Sequence, residues 1–302
     1  MNLLLLTATI GDKLDTAFFG FDTFIYGIFG SIQNSFLTII AKMFTSFGDE
    51  AFVIPIALLA LVLCFFKRTR KYGCALIFAI AIGTIVTNIV VKPMVLRIRP
   101  YNTLQTTDFW AKYGKWYAAA GSLSESDYSF PSGHTTAAFE VATALFLCFK
   151  SDKKKFAWVF PVIAFFTMCS RVYLMVHYPT DVIAGFFVGT FAGICAFFLA
   201  KLALLIWSKI KFLDAIDAEK LFKKGLNTKA ASYLLAAVVV GIFCFSFIPI
   251  LSEGADFQQT CAYNGEYDCK NTAKVDDEDY PPIDGEYYCK IHWKQLQGET
   301  ED

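Results

Sequence analysis

The chain has 302 residues, 56% hydrophobic and 18% charged, with a formal net charge of zero and a mean hydropathy of +0.47. So apolar a composition excludes an ordinary soluble domain and points to a membrane protein, and zero net charge argues against nucleic acid as the main partner. Neither a Gly-rich phosphate loop nor a His/Cys cluster at metal-ligand spacing is recognisable, so no cofactor and no metal is expected.

The length allows one bundle of about six spans at roughly 20 apolar residues each. The opening Met-Asn-Leu-Leu-Leu-Leu lacks a basic region and a long enough apolar core for a secretory signal, which leaves targeting to the first span. Residues 14–47 mix Phe, Ile and Leu with Asp15, Asp22, Gln33 and Lys42, a pattern suited to an amphipathic helix lying in the membrane interface. The first span is Ala51 to Phe66, short enough to borrow residues from upstream, and Lys67-Arg-Thr-Arg-Lys71 closes it.

A second span runs from about Cys74 to Val91 and ends at Lys92. Residues 93–130 then form a polar loop whose Trp110, Trp116 and tyrosines suit the headgroup belt. The third span is Ser132 to Phe149, closed by the basic stretch 150–155, and the fourth is Phe156 to about Tyr173. The fifth, Val182 to about Ala200, carries Gly185, Gly189 and Gly193 at four-residue spacing, which permits close helix packing. Within the third span Glu140 should face the bundle interior, with Asn88 a plausible contact. Lys201 to Lys229 reads as a cytoplasmic surface helix and residues 231–251 as the sixth span.

The expected fold class is thus all-α: a polytopic bundle of six transmembrane helices with an N-terminal amphipathic helix. Three parts follow, an interfacial segment 1–50, a six-span domain 51–251 and an acidic tail 252–302. Basic loops at 67–71, 150–155 and 209–229 should be cytoplasmic, which places the 93–130 loop, the 174–181 turn and the tail outside the plasma membrane. Cys261, Cys269 and Cys289 fall in that tail, where an oxidising compartment allows one disulfide and leaves an odd thiol. The tail also repeats itself, Asn264-Gly-Glu-Tyr-Asp-Cys269-Lys against Asp284-Gly-Glu-Tyr-Tyr-Cys289-Lys. It fits either a hairpin module stapled by Cys269 and Cys289 or a flexible acidic tail.

Three polar clusters share the outer side. In the first, Lys92-Pro-Met-Val-Leu-Arg-Ile-Arg99-Pro100, Lys92 and Arg99 project from nearly one face if the helix continues past Pro93; headgroup anchoring would use the same residues. The second, Pro131-Ser132-Gly133-His134, opens a span, where backbone amides and the helix dipole favour an anion. His134 there is either a proton donor to a leaving oxygen or a structural histidine. The third is Ser170-Arg171 followed by His177 and Asp181. Its four-residue spacing lets the carboxylate hold one imidazole nitrogen while the other faces a substrate; Asp181 would equally serve the next helix's N-terminus and Arg171 the headgroups.

Taken together and in this order, the three clusters resemble the signature of the type 2 phosphatidic acid phosphatase family, by motif over residues 92–181 and by span pattern over about 51–251. The resemblance implies a metal-independent membrane phosphatase acting on a lipid phosphate. Lys92, Arg99 and Arg171 would hold the phosphate oxygens, with Ser132 and the Gly133 amide completing the cradle. His177 would be the nucleophile that becomes a phosphohistidine, Asp181 its orienting acid, and His134 the donor to the leaving lipid oxygen. Family substrates include phosphatidic acid, phosphatidylglycerophosphate and polyprenyl pyrophosphates; undecaprenyl pyrophosphate is favoured by analogy. A lipid phosphotransferase using the same histidine, and a non-catalytic lipid-binding or transport bundle, are the alternatives. The expected partners are that substrate and membrane lipids.

Overall fold

The computed structural model describes residues 8–211, 217, 241, 258–265, 267–274 and 279–297. Its architecture is helical. Helix α1 spans Ile10–Ser31 and starts at a capping box, in which Thr9 N–H donates to Asp12 Oδ2 at 2.8 Å and Asp12 N–H to Thr9 Oγ1 at 3.1 Å. Asn34 then caps α2, Ser35–Thr45, by accepting from Leu37 N–H at 2.9 Å. The N-terminal segment is therefore two helices where one was expected, because Asn34 competes for the backbone and restarts the helix. After a 3-10 turn at Ser46–Gly48, Asp49 caps α3, Glu50–Cys64.

Helix α4, Arg70–Thr84, continues through π-helical turns at Ile85–Val91 into α5, Lys92–Val95. The 93–130 stretch is more structured than the loop expected of it, holding α6, Pro100–Thr103, and α7, Trp110–Ala119. Its tyrosines do not form a headgroup belt. Tyr101, Tyr113 and Tyr117 are buried with Tyr26 and Tyr178 in one cluster, since their rings stack on one another and fill the space beneath the 174–178 turn. The long helices α8, Gly133–Ser151, α9, Val159–Tyr173, and α10, Pro179–Lys209, complete the bundle.

Five of the six expected spans thus coincide with helices, and the sixth, 231–251, lies outside the described residues. By length and composition three described stretches can cross a membrane, Arg70–Thr106, Lys155–Tyr173 and Pro179–Lys209; a fourth is added if Ser35–Gly48 and Glu50–Cys64, bent by 41°, count as one. Helix α10 runs nine residues past the expected end at Ala200, to Lys209; the rest of the expected 201–229 surface helix falls almost wholly outside the described residues.

Small residues make the seam and large ones face out, the reverse of a soluble core. Ala75 and Ala79 of α4, Ala144 and Cys148 of α8 and Ala196 and Ala200 of α10 pack together, while Phe187, Phe191 and Phe198 stand more than 60% exposed on α10. The glycine stripe sets the approach of α8 and α10: a Cβ on Gly189 would come within 2.5 Å of the Thr136 carbonyl oxygen. Glu140 is buried in that interface, yet its expected partner Asn88 is exposed. The carboxylate lies against Gly83 instead, with Oε2 unpaired, because only a residue without a side chain leaves room for it there.

The bundle has two chemically distinct ends. At one, Lys71 is paired with Asp152 and Arg70 sits 4.6 Å over the Trp207 ring. At the other meet the C-terminal ends of α5 and α9, the N-terminal ends of α8 and α10, helix α1 and the tail. The described tail residues fold into a two-stranded antiparallel hairpin, β1 at Gln258–Thr260 and β2 at Thr272–Lys274, followed by α11, Lys290–Gln297. Cys269 and Cys289 are not stapled; with Cys261 they are buried free thiols.

Candidate functional site

All three sequence clusters arrive at the second of these ends, by routes that local geometry explains. The expected helix through Lys92 and Arg99 does not continue. It stops at Val95, Leu96 takes a left-handed φ of 55°, and Arg99 arrives from an extended segment. A non-glycine residue in that region costs about 1 kcal/mol or more. The same device ends α9, where Met175 has φ 60° and turns the chain so that His177 points back into the bundle.

The cations converge on a pair of carboxylates that the sequence clusters did not include. Lys92 Nζ pairs with Asp127, Arg99 Nη2 with both Asp127 and Glu125, and Arg171 Nη2 with Glu125. Arg171 Nη1 also donates to Thr45 Oγ1 at 2.6 Å. These carboxylate oxygens mark an anion position ringed by three positive side chains. Gly133 lies beside the same place, its notional Cβ 3.8 Å from Lys92 Nζ. Ser132 also has a structural task. Its hydroxyl caps α8, accepting from Thr135 N–H at 3.4 Å and also from Thr135 Oγ1 at 3.0 Å, while its N–H donates to the Asp181 carbonyl at 3.1 Å, so it ties the α8 and α10 termini together.

His177 is fully buried beside this anion position. Its Nε2 lies 3.1 Å from Arg99 Nη1, and a guanidinium can only donate, so Nε2 is the acceptor and the proton of a neutral ring sits on Nδ1. Asp181 is 3.5 Å from that Nδ1, beyond a good hydrogen bond. Ser129 bridges the gap: its Oγ is 3.3 Å from Nδ1 and donates to Asp181 Oδ2. Asp181 also accepts from Tyr178 N–H at 3.0 Å and from Arg97 Nη1 at 2.6 Å, so it serves the start of α10 and the imidazole at once. Burial, and then the charges of Arg99, Arg171 and Lys92, with His134 adding to them, hold His177 well below its ordinary value of 6.5. Both effects favour the neutral ring, whose Nε2 lies 3.9 Å from Glu125 Oε2 at the anion position.

His134 sits in the first turn of α8, part-exposed, its Nε2 3.8 Å from Asp49 Oδ2. Gly48 makes this possible, since any Cβ there would come within 2.5 Å of the His134 carbonyl oxygen. The Asp49 carboxyl is held below its ordinary range, chiefly by the His134 ring beside it, with burial opposing.

Sequence reasoning missed Glu125, Asp127 and Ser129, which lie in a loop without periodicity; two acids beside a surplus of three cations were the available signal. It also missed Arg97, which holds Asp15 at 2.8 Å, Asp22 at 3.0 Å and Asp181 at 2.6 Å, and Tyr26, whose hydroxyl donates to the His177 carbonyl at 2.7 Å. The statement that no His/Cys cluster exists is corrected as well. Cys261, Cys269, Cys289 and His292 are all buried, with donor atoms within 4.8 Å of one another; the chain brings together in space what is spread over 32 positions in sequence.

Comparison with known proteins places the chain in a family. Residues 72–203 match the model of the PAP2 superfamily. The chain is 31% identical over 172 residues to an undecaprenyl-diphosphatase of Sulfolobus acidocaldarius, covering 57% of this chain and 74% of that protein. It is 32% identical over 177 residues to phosphatidylglycerophosphatase B of Bacillus subtilis, covering 56% and 76%. Among solved structures it is similar to a PAP2-type phosphatidylglycerolphosphate phosphatase of Bacillus subtilis, with 27% identity, a TM-score of 0.49, and 64% of this chain and 89% of that one covered. The matched family region and the two relatives above 30% identity, each covered over about three quarters of its length, show that the chain is a membrane protein of the PAP2 superfamily of phosphatases.

Proposed function

We propose that this protein hydrolyses a lipid phosphate or pyrophosphate through a phosphohistidine on His177, without a metal ion in the chemical step. The observation that carries the proposal is the convergence of Lys92, Arg99 and Arg171 on one anion position beside the unprotonated Nε2. Phosphoryl transfer spreads negative charge over the equatorial oxygens, and prepositioned cations stabilise that charge. In the first step Nε2 forms a bond to phosphorus and the bond from phosphorus to the leaving oxygen breaks. His134 gives that oxygen a proton. The Nδ1 proton stays on the ring, held toward Ser129 and Asp181, so the positive charge gained by the imidazole is balanced by a carboxylate. In the second step His134 takes a proton from water, water attacks phosphorus, and the P–N bond breaks.

Undecaprenyl pyrophosphate is the favoured substrate, in keeping with the Sulfolobus relative's name; phosphatidic acid and phosphatidylglycerophosphate are the other candidates. The site end would face outward from the plasma membrane, because the basic loops 67–71 and 150–155 meet at the other end. Residues 231–251 would supply the sixth span of the 51–251 domain, with 252–302 a separate outer unit. Helix α1 would lie in the interface: Asp15 and Asp22 turn inward to Arg97, while Phe18, Phe21 and Phe24 are exposed.

The test is phosphate release from these lipids by the full chain in detergent, with and without His177→Ala. Loss of the nucleophile should lower kcat by at least about 10³-fold and abolish an acid-labile phosphoenzyme trapped during turnover. Release that survives the substitution, or needs added magnesium, would overturn the phosphohistidine mechanism; product that appears only with an acceptor alcohol would make the protein a transferase.

A further inference from the structure

We infer that Cys261, Cys269, Cys289 and His292 bind one structural zinc ion, which folds the tail and fixes it on the segment that carries Arg99. The inference is independent of the phosphatase reading.

The four donors lie close to the spacing of a tetrahedral zinc site. Bonds of about 2.3 Å to sulfur and 2.0–2.1 Å to nitrogen put neighbouring ligand atoms about 3.5–3.8 Å apart. His292 Nδ1 lies 3.4 Å from Cys261 Sγ and 3.2 Å from Cys289 Sγ, and all four donors fall within 4.8 Å of one another. The cysteines stand apart as free thiols. Three thiols and one imidazole also resolve the odd cysteine count, which a single disulfide does not.

The surroundings are those of a metal site with its supporting bonds in place. Cys289 N–H donates to Cys261 Sγ at 3.2 Å and Asn271 Nδ2 to Cys289 Sγ at 3.4 Å, contacts that stabilise thiolates. The other ring nitrogen of His292 is 3.3 Å from Tyr267 Oη, which fixes the ring with Nδ1 toward the sulfurs. Tyr263 stacks on the same ring at 3.8 Å. Each copy of the internal repeat carries a ligand: one leads into Cys269, and the other turns at Asp284 and Gly285, with φ 53° and 83°, before Cys289. Three residues later α11 presents His292 from its first turn, giving a Cys-x-x-His pair.

Energetics argue the same way. A unit of about 40 residues rarely folds on its own core, and this one has three-residue strands and one eight-residue helix. Its buried cluster is the three cysteines and Ile291. Zinc binding would supply the missing folding energy: the three thiols release three protons, zinc gains four bonds, and no electron is transferred. The closed four-ligand shell leaves no position for substrate, so the ion is structural.

The unit presses on the phosphate site. Ile98, between Arg97 and Arg99, packs against the cysteine cluster. Buried Asn102 donates to Asn271 Oδ1 and accepts from Lys270 N–H, both at 2.9 Å.

The full chain, purified in detergent from cells grown with zinc, should contain about one zinc per chain by elemental analysis. Cobalt(II) replacement should give thiolate-to-metal charge-transfer absorption and the intense visible bands of a tetrahedral ion. Cys269→Ser should lose the metal. His292→Cys should keep it and shift the cobalt bands toward those of an all-sulfur site, a readout that survives if Cys269→Ser fails to fold. Wild-type protein without zinc and without the cobalt bands would overturn the inference, as would iron in place of zinc or an intact-mass deficit showing a disulfide among these cysteines.

Discussion

Arg97 and Arg99 are both fully enclosed and only two residues apart, yet they reach entirely different partners. Their anions differ in kind. Arg97 is neutralised from rigid helices, by Asp15 and Asp22 of α1 and Asp181 of α10, with the Tyr178 ring 3.7 Å from its guanidinium carbon. Arg99 is held by main-chain oxygens of Asp127 and Val176 and by Glu125 and Asp127. Those two side chains are 26% and 39% exposed, against 0–2% for Asp22 and Asp181. A cation whose counter-charges are buried in helices is part of the scaffold; one whose counter-charges ride on an exposed loop can exchange them for a ligand.

The largest effect should come from breaking the first arrangement. Arg97→Met leaves two deeply buried carboxylates and a third nearby with no partner, and removing one member of such a buried network costs about 3–5 kcal/mol. The expected result is a much lower Tm in detergent and loss of the α1 contact, measured by thermal unfolding and by protease sensitivity of residues 10–31. Adding Asp22→Asn, which removes one of the stranded charges, should recover part of the Tm. An Arg97→Met protein as stable as wild type would show that α1 is not fastened this way.

The two arginines also show where sequence reading stops. Lys92, Arg99, His134, Arg171, His177 and Asp181 were legible because each motif is contiguous and each sits at the end of an apolar run. Arg97 lies inside the first motif, but its partners Asp15 and Asp22 are 82 and 75 positions away, and nothing local says which arginine faces inward. The bundle was readable from span lengths; the break at Asn34 and the stop at Leu96 were not, since one depends on a single cap and the other on a left-handed φ that tertiary contacts enforce. In the tail, counting thiols alone suggested a disulfide. Counting His292 with Cys289 would have exposed the Cys-x-x-His pair.

A second, smaller effect sharpens the contrast at Arg99 itself. Arg99→Lys keeps the charge and loses the planar fork that reaches Asp127, Glu125, Val176 and His177 together. Losing one prepositioned donor to a developing anion typically costs 10²–10³-fold, so kcat/KM should fall by about that factor while Tm moves far less than in Arg97→Met. Equal losses of Tm in the two variants would erase the distinction between scaffold and working cation.

The smallest effect concerns the exchangeable anions, and its sign is the informative part. If substrate phosphate takes the place of Glu125 and Asp127, those carboxylates compete with it and must leave before chemistry. Ion pairs at a surface contribute about 0.2–1 kcal/mol each, and these pairs join part-exposed acids to enclosed cations, so releasing one should tighten substrate binding by at least about 1.4- to 5-fold. Asp127→Asn and Glu125→Gln, which keep shape and remove charge, are therefore expected to lower KM by such factors with kcat little changed, and weak inhibition by inorganic phosphate should strengthen in parallel. A rise in KM would mean that the two acids help to hold the substrate or its leaving group, and that the three cations are not waiting for a phosphate in their place.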